Sequence, residues 1–210
     1  MKNKLILALP LAGIALVLAS CGDKTTSETT TTGSNNNNTI VYSNETYYAS
    51  PNGVASANGT KGSPVDIRTG FNKLKAGDTL ILLDGTYNLP ERILIDKTQN
   101  GASGHMITVK ADDNANVTLD FSQQNIAGTS RGVQINADYW HLYGFDVKGA
   151  GDNGVYIAGS YNIVENCSFH ENQDTGLQIG RASSDLTNIK DWPHNNLIKN
   201  LSLIHISEPT

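Results

Sequence analysis

The feature that most constrains the fold is a short repeat in the second half of the chain. Each unit contains a glycine, and an isoleucine follows it three positions later. The aligned residues are Gly132, Gly154 and Gly176, followed by Ile135, Ile157 and Ile179. The period is about 22 residues, and a unit this short cannot bury an apolar face alone, although stacked copies can. The repeat therefore indicates a solenoid.

Apolar and polar residues alternate over short stretches within each unit, as in Val155-Tyr156-Ile157 and Cys167-Ser168-Phe169. Alternation with a period of two is typical of β-strands. Glycine, asparagine and aspartate separate these stretches, as expected for turns. We predict an all-β fold, a right-handed parallel β-helix whose coils advance by about 4.8 Å along the axis.

The chain before the repeat is less regular but contains the same kinds of element. Apolar stretches at 80–83, 93–95, 107–109 and 117–119 predict further strands. In residues 64–76, Ile67, Phe71 and Leu74 have nearly helical spacing. We expect a short helix there that covers the first coil, because an open solenoid end exposes strand edges and apolar side chains.

The third unit of the repeat is interrupted by the polar segment from Arg181 to His194. The pattern resumes at Asn196, which aligns with Asn162, whereas an uninterrupted repeat would place this match at Ser184. Turns of a solenoid tolerate such insertions, and binding surfaces are often built there. Asn166 and Asn200 align across the insertion, and we interpret them as an internal asparagine stack. Two unrelated turn asparagines are the alternative.

The N-terminus has the pattern of a targeting segment. Lys2 and Lys4 precede an apolar run from Leu5 to Ala19, which is shorter than the roughly 20 residues of a membrane span. The run ends in Leu18-Ala19-Ser20-Cys21, which resembles the bacterial lipoprotein box. We expect a signal peptide over residues 1–20 and lipidation of Cys21. The alternative is an ordinary signal peptide with a chance cysteine.

Residues 21–45 are rich in Thr, Ser and Asn and predict a disordered tether before a folded domain at 46–200. The expected location is the bacterial cell envelope, through the lipid anchor, or the extracellular space.

With 15 Lys and Arg against 20 Asp and Glu, the net charge is −5, which disfavours a nucleic-acid partner. Two cysteines cannot form a disulfide framework. We expect a monomer.

Several motifs resemble a known family. Residues 47–53, 77–79 and 84–87 are similar to the opening of secreted β-helix polysaccharide lyases, and the run from Asp138 to Arg181 resembles pectate lyases of polysaccharide lyase family nine. The resemblance implies an enzyme that cleaves pectate by β-elimination. It also implies calcium as the cofactor, which neutralises the uronate carboxylate, and a lysine that removes the proton at C5.

The resemblance assigns one candidate metal ligand, Asp174, which precedes a predicted strand beside the insertion. Asp152 has the same place one unit earlier, so a turn aspartate that caps backbone amides is the alternative. His170 and Arg181 are candidate substrate-binding residues, since a guanidinium can pair with a uronate carboxylate.

Three further side chains could be either functional or structural. Trp140 and Tyr161 either stack on sugar rings or belong to the wall of the solenoid. Cys167 alternates with the inward residues, which predicts a buried and unreactive thiol rather than a nucleophile.

The last part of the chain, 201–210, resembles a translated transposase adapter from sequencing-library preparation. We therefore expect the native sequence to diverge near Asn200, the catalytic lysine to lie downstream, and the present chain itself to be inactive. A real terminal strand is the alternative, because Leu201 and Leu203 align with Cys167 and Phe169.

The sequence is compatible with three functions. The first is a calcium-dependent lyase of pectate. The second is a lyase of another uronate polymer, such as a glycosaminoglycan or alginate. The third is a non-catalytic β-helix that binds glycans at the cell surface. In the first two, the partner is an acidic polysaccharide substrate.

Overall fold

A computed structural model describes residues 42–204. These residues form one α-helix, α1 (Ile67–Lys73), one 3-10 turn (Ile189–Asp191) and fifteen short strands. The strands are β1 (Thr46–Ala49), β2 (Thr79–Leu82), β3 (Gly85–Asn88), β4 (Ile93–Ile95), β5 (Ile107–Ala111), β6 (Val117–Asp120), β7 (Val133–Ile135), β8 (Trp140–Tyr143), β9 (Asp146–Lys148), β10 (Val155–Ile157), β11 (Ile163–Glu165), β12 (Ser168–His170), β13 (Leu177–Ile179), β14 (Leu197–Lys199) and β15 (Ser202–Ile204).

The strands form three parallel sheets that run along the axis of a solenoid. Sheet 1 has the order β13-β10-β7-β4, sheet 2 has β1-β2-β5-β8-β11-β14, and sheet 3 has β15-β12-β9-β6-β3. From β2 onward, the chain visits sheets 2, 3 and 1 in turn, so each coil adds one strand to each sheet. This confirms the predicted parallel β-helix.

The sequence repeat is the register of the strands in sheet 1. Ile157 pairs with Ile135 on one side and with Ile179 on the other. Ile135 and Ile157 have no solvent exposure, while Ile179, in the last described coil of this sheet, is 43% exposed. Ile135 and Ile157 therefore point inward and belong to one continuous apolar core.

The repeated glycines are required because the backbones of neighbouring coils approach closely. A β-carbon on Gly154 would lie 2.7 Å from the carbonyl oxygen of Gly176, and one on Gly132 would lie 2.5 Å from that of Gly154. These carbonyls also accept hydrogen bonds from Val155 and Val133. A side chain at the glycine positions would push the coils apart.

The predicted internal stack of Asn166 and Asn200 is wrong. Both asparagines are exposed and lie in short turns between sheets 2 and 3, with φ angles of 54° and 53°. Gly144 occupies the same turn one coil earlier with φ 78°. This left-handed conformation strains most side chains, but glycine and asparagine tolerate it. The two residues are thus the turn asparagines of the alternative interpretation.

A different asparagine pair performs the internal role. Asn162 is fully buried, and its Oδ1 accepts a hydrogen bond of 2.8 Å from the backbone N–H of Trp140. Its own N–H donates to Oδ1 of Asn196 in the next coil, also at 2.8 Å. Both side chains are therefore placed to satisfy backbone groups that the turn before sheet 2 would leave unpaired.

Helix α1 packs on β1 and β2, as the helical spacing predicted. Asp66 caps its N-terminus by accepting a hydrogen bond from the N–H of Thr69. Ile67, Phe71 and Leu74 are all buried. The ring of Phe71 stacks on that of Trp140 at 6.0 Å, so the helix is tied to the solenoid core.

The insertion lies in the connection between β13 and β14. This connection covers residues 180–196, whereas the connection between β10 and β11 covers only 158–162. Beyond it, Ile163 pairs with Leu197, so the register resumes as the alignment of Asn162 with Asn196 predicted. The solenoid absorbs the inserted segment in a turn without a shift of the strands.

The ordered domain begins before residue 46. The N–H of Ser43 donates to the carbonyl of Ala76, and Tyr42 stacks on His105 at 3.9 Å. The predicted signal peptide, Cys21 and the tether up to residue 41 lie outside the described residues, as do 205–210. At the other end, Ser202–Ile204 pairs with β12 in the register that the terminal-strand alternative predicts. Within residues 42–204, no helix is long and apolar enough to span a membrane.

Candidate functional site

The candidate site lies where the turns after sheet 3 enter the strands of sheet 1. The strand register places Ser130, Asp152 and Asp174 at one position in three successive coils. The next position holds Arg131, Asn153 and Thr175. We call these six side chains the entry row. Because coils are spaced by about 4.8 Å, the entry row presents a line of polar groups along the solenoid axis.

Asp174 is an exposed member of the entry row with a defined side-chain orientation. Its Oδ2 accepts a hydrogen bond of 2.8 Å from Nδ2 of Asn153, one coil earlier. The same Nδ2 donates to Oγ1 of Thr175 at 2.9 Å. Asn153 is 1% exposed, and its Oδ1 is buried without a hydrogen-bond partner among the described residues. Asn153 therefore fixes the orientation of the Asp174 carboxylate from the preceding coil.

Asp152 occupies the equivalent position but has a different environment. Its Oδ2 lies 3.6 Å from Nε of Arg131, and its side chain is only 13% exposed. The Arg131 guanidinium lies 3.4 Å above the ring of Tyr156. The two aspartates therefore differ in chemistry: Asp152 faces a cation, whereas Asp174 faces an amide and solvent.

The entry row supplies part of a calcium site at most. Calcium binds six to eight oxygen atoms, and the exposed Asp174 carboxylate suits this hard cation. Among residues 42–204, however, no group of three or more His, Cys, Asp or Glu side chains is placed to hold a metal. The described residues thus provide one fitting ligand rather than a complete site.

The predicted substrate-binding residues do not gather around Asp174. His170 lies on β12 in sheet 3, with Nδ1 3.5 Å from Glu171. Arg181 follows β13, at the opposite end of that strand from Asp174. Its Nη1 donates to the carbonyls of Ser184 and Leu186, and the guanidinium lies 5.2 Å from the Trp192 ring. Arg181 therefore organises the insertion.

The structure separates the two aromatic candidates. Trp140 has no solvent exposure, and its Nε1 donates to the carbonyl of Gln99, so it belongs to the wall of the solenoid. Tyr161 is 38% exposed and stacks on Tyr139 at 4.8 Å. Cys167 is buried as predicted, and burial raises the pKa of its thiol. Trp140 is therefore inaccessible to a sugar ring, whereas Tyr161 is not.

Sequence reasoning missed a polar cleft beside the entry row. The long connection between β6 and β7 faces the short one between β3 and β4, and together they enclose about 400 Å³. Side chains with hydroxyl, amide and charged groups surround the cleft. The lining residues are Pro90, Glu91, Arg92, Gln124, Asn125, Thr129 and Ser130. The only sequence signal was the extra length of the segment 121–132.

Comparison with known proteins identifies the family. The model of the Pel9A-like right-handed β-helix region matches residues 47–205 of the chain. The chain belongs to this family. The match covers the solenoid, including all three strands of the repeat and both aspartates of the entry row.

Curated relatives and a solved structure agree with this assignment. Pectate lyase L of Paenibacillus polymyxa (strain SC2) is 39% identical over 153 residues, which cover 73% of this chain and 34% of the relative. Pectate lyase L of Thermoclostridium stercorarium is 35% identical over 165 residues, which cover 78% of this chain and 13% of the relative. The crystal structure of pectate lyase Pel9A superposes with a TM-score of 0.65 at 30% identity, covering 75% of this chain and 38% of that one.

The match takes up most of this chain in each comparison, but it is a minor part of each relative. The chain spans about a third of the length of the P. polymyxa lyase and of Pel9A, and less of the T. stercorarium lyase. For this chain, the activity of a whole lyase is therefore a proposal.

Proposed function

We propose that this chain is the β-helix region of a calcium-dependent lyase that cleaves pectate by β-elimination. The observation that carries the proposal is the exposed Asp174 carboxylate, held by Asn153 at the entry of sheet 1 in a β-helix of the Pel9A-like family. Relatives named pectate lyase support pectate as the substrate.

Calcium held at Asp174 would neutralise the uronate carboxylate and so make the proton at C5 more acidic. The described residues contribute by positioning. Asn153 is buried and donates to Oδ2 of Asp174, which fixes one carboxylate oxygen and leaves the other for a ligand. Asp174 would be a ligand of the metal, whereas Asp152 would stay close to Arg131.

The base that removes the C5 proton is not assigned to a described residue. Lys148 lies 3.5 Å from Asp120 and 3.6 Å from Glu171, and Lys199 lies 2.9 Å from Glu165. These pairs are on sheets 3 and 2, away from the entry row. We propose that the base belongs to further coils of a longer protein, and that the present chain alone is inactive.

The test compares this chain with a version extended past Asn200 by the native gene. Elimination creates an unsaturated sugar that absorbs in the ultraviolet, so cleavage of polygalacturonate is followed directly. We expect an absorbance rise for the extended protein, its loss on chelation, and no rise for the present chain. Mildly alkaline buffer is chosen because a lysine base is then more often neutral.

Two matched variants of the extended protein test the metal assignment. Asp174→Ala is expected to raise the calcium concentration for half-maximal rate about tenfold or more, and Asp152→Ala is expected to raise it less, because Asp152 faces Arg131. Equal effects of the two substitutions would contradict the assignment of Asp174, rather than Asp152, as the calcium ligand. Activity on alginate or a glycosaminoglycan but not on polygalacturonate would show that the substrate is another uronate polymer. Inactivity on all of these polymers would favour a non-catalytic, glycan-binding β-helix.

We also propose that the protein is anchored in the bacterial cell envelope by a lipid on Cys21. The motif at Leu18–Cys21 and the polar residues that follow support this proposal. An anchored lyase would meet soluble polymer outside the cell.

A further inference from the structure

Arg131 of the entry row is a cation held in one place but with unused donors. Its guanidinium lies 3.4 Å from the centroid of the Tyr156 ring, which is itself 7% exposed. Nε faces Oδ2 of Asp152 at 3.6 Å. Stacking against an aromatic face and a neighbouring carboxylate fix the plane of the guanidinium on the outer face of sheet 1.

The hydrogen-bonding capacity of this arginine is not met by the described residues. A guanidinium has five N–H donors. Nε of Arg131 is buried without a hydrogen-bond partner, and within residues 42–204 no acceptor receives a bond from Nη1 or Nη2. The side chain is 18% exposed, and Nη1 and Nη2, unlike Nε, are not among the buried atoms, so both are accessible from solvent. An unpaired, partly desolvated guanidinium is a receptor for a carboxylate.

The polar cleft adjoins the backbone of Arg131, since the preceding residue, Ser130, lines the cleft. Gln124 lines the cleft, and its Nε2 donates to the carbonyl of Arg131 at 3.0 Å. Arg92 lines it as well, with Nη1 bonded to Oε1 of Gln134 at 3.2 Å. Hydroxyl and amide groups of the lining match the hydroxyls of a sugar ring, and about 400 Å³ accommodates one.

Two carboxylates balance the positive charges near the cleft, so an anionic group can be favoured only locally, at the free edges of the arginines. Arg92 and Arg131 contribute two positive charges. Glu91 lies in the lining and is exposed, and Asp152 neutralises the Nε side of Arg131. A planar guanidinium offers separate edges, so a second carboxylate can bind at Nη1 and Nη2 while Asp152 stays at Nε.

We propose that the cleft together with Arg92 and Arg131 is a binding subsite for a uronate unit of the polymer, separate from Asp174. Arg131 precedes β7 and Asp174 precedes β13, two coils apart, which is about 10 Å along the axis. A polymer that occupies both the subsite and the Asp174 position would lie along sheet 1. Its uronate carboxylate at the subsite end would bind to arginine. The inference rests on the proposed function, because it assumes an acidic polysaccharide.

The test measures binding of a galacturonate hexamer to the full present chain by calorimetry at low salt, once with calcium and once with EDTA. EDTA removes any contribution of a metal, so the arginine subsite is observed alone. Arg131→Gln is expected to weaken binding in EDTA by about tenfold or more, since it removes charge-assisted hydrogen bonds. The fully methyl-esterified hexamer is expected to bind weakly to the wild type.

Lys148→Gln is the matched control. It removes one positive charge from the outer face of sheet 3, where Lys148 lies near Asp120 and Glu171. It is expected to leave binding unchanged. If Arg131→Gln disturbs the fold, as judged by circular dichroism and thermal unfolding, Arg92→Gln takes its place and is expected to weaken binding several-fold.

Each outcome separates the subsite from the lyase activity. Unchanged binding by the arginine variants, or wild-type binding only with calcium, would overturn the subsite and leave the lyase proposal standing. Arginine-dependent binding in EDTA together with an extended protein that cleaves no uronate polymer would support the subsite and overturn the lyase proposal. Failure of the wild type to bind the hexamer under either condition would overturn the subsite.

Discussion

The role of an asparagine in this solenoid depends on the turn that contains it. Asn162 and Asn166 flank the same strand, β11, yet one is buried and the other exposed. Asn162 uses its amide to pair backbone groups of a neighbouring coil. Asn166 instead supplies a backbone conformation, with φ 54°. The same residue type therefore stabilises the coil in two unrelated ways.

We predict that Asn→Gly has different consequences at these two positions. Asn162→Gly leaves the N–H of Trp140 and the carbonyl of Ala137 without their partner, which costs about 2–4 kcal/mol of unfolding free energy. Asn166→Gly keeps the left-handed turn accessible and is expected to change stability by less than about 0.5 kcal/mol. Urea unfolding of both variants measures the difference, and equal losses would contradict the internal role of Asn162.

The residues of the candidate site were only partly predictable. Asp174 was found because it matches a family motif, but its difference from Asp152 was not, because both have the same place in the repeat. The difference comes from Arg131 and Asn153, which contact the aspartates from an adjacent coil. Contacts between residues a full coil apart leave no local pattern, so Arg131 was not recognised as a candidate.

At the scale of the elements, a cluster of three ionisable side chains on the outer face of sheet 2 links neighbouring coils. Nε2 of His141 on β8 lies 3.3 Å from Oε2 of Glu165 on β11, and Nζ of Lys199 on β14 lies 2.9 Å from Oε1. Burial lowers the pKa of His141, and Lys199 lowers it further, while Glu165 acts in the opposite direction. The net pKa is below the usual 6.5.

We predict that this histidine makes the sheet less stable as the pH falls from about 7 to 5. Because the folded-state pKa is lowered, the unfolded chain binds the proton more readily, and stability drops once the pH passes below the unfolded pKa near 6.5. His141→Gln is expected to flatten the pH dependence of the urea midpoint in this range. Glu165→Gln is expected to steepen it, because it removes the group that raises the pKa of His141.

The pH experiment has a clear negative result. If the midpoint of the wild type and of His141→Gln falls in parallel between pH 7 and pH 5, the histidine does not couple stability to pH. Below about pH 4.5 the carboxylates add their own dependence, since the hydrogen bond from Lys199 lowers the pKa of Glu165. That lower range is therefore left out of the comparison.

Most elements were predictable because their signals are local. The apolar stretch Ile93–Ile95 and the alternating stretch Val155–Ile157 predicted strands, and the spacing of Ile67, Phe71 and Leu74 predicted α1. The assignment of an internal stack to Asn166 and Asn200 failed, because Asn162 also aligns across the insertion and lies next to the same strand, β11. Which asparagine beside β11 points inward is decided by the backbone of the turn, which the repeat alone does not specify.

At the scale of the whole molecule, we predict that the β-helix is attached to a membrane through Cys21. Cys21→Ala is expected to abolish metabolic labelling of the protein with a fatty acid and to release it from the membrane fraction. Cys167→Ala is the matched control, because that thiol is buried in the solenoid. Labelling that persists in Cys21→Ala would contradict the lipoprotein interpretation.

The arrangement of the hydrogen bonds gives the solenoid different mechanical properties in different directions. Strands such as β7, β10 and β13 run across the axis, so the bonds between them point along it. A pull along the axis stretches the few bonds between two coils directly, so one interface can open while the others remain closed. A sideways pull instead loads the bonds of a whole strand in shear. A polymer chain under tension along sheet 1 would thus strain this protein in its weaker direction.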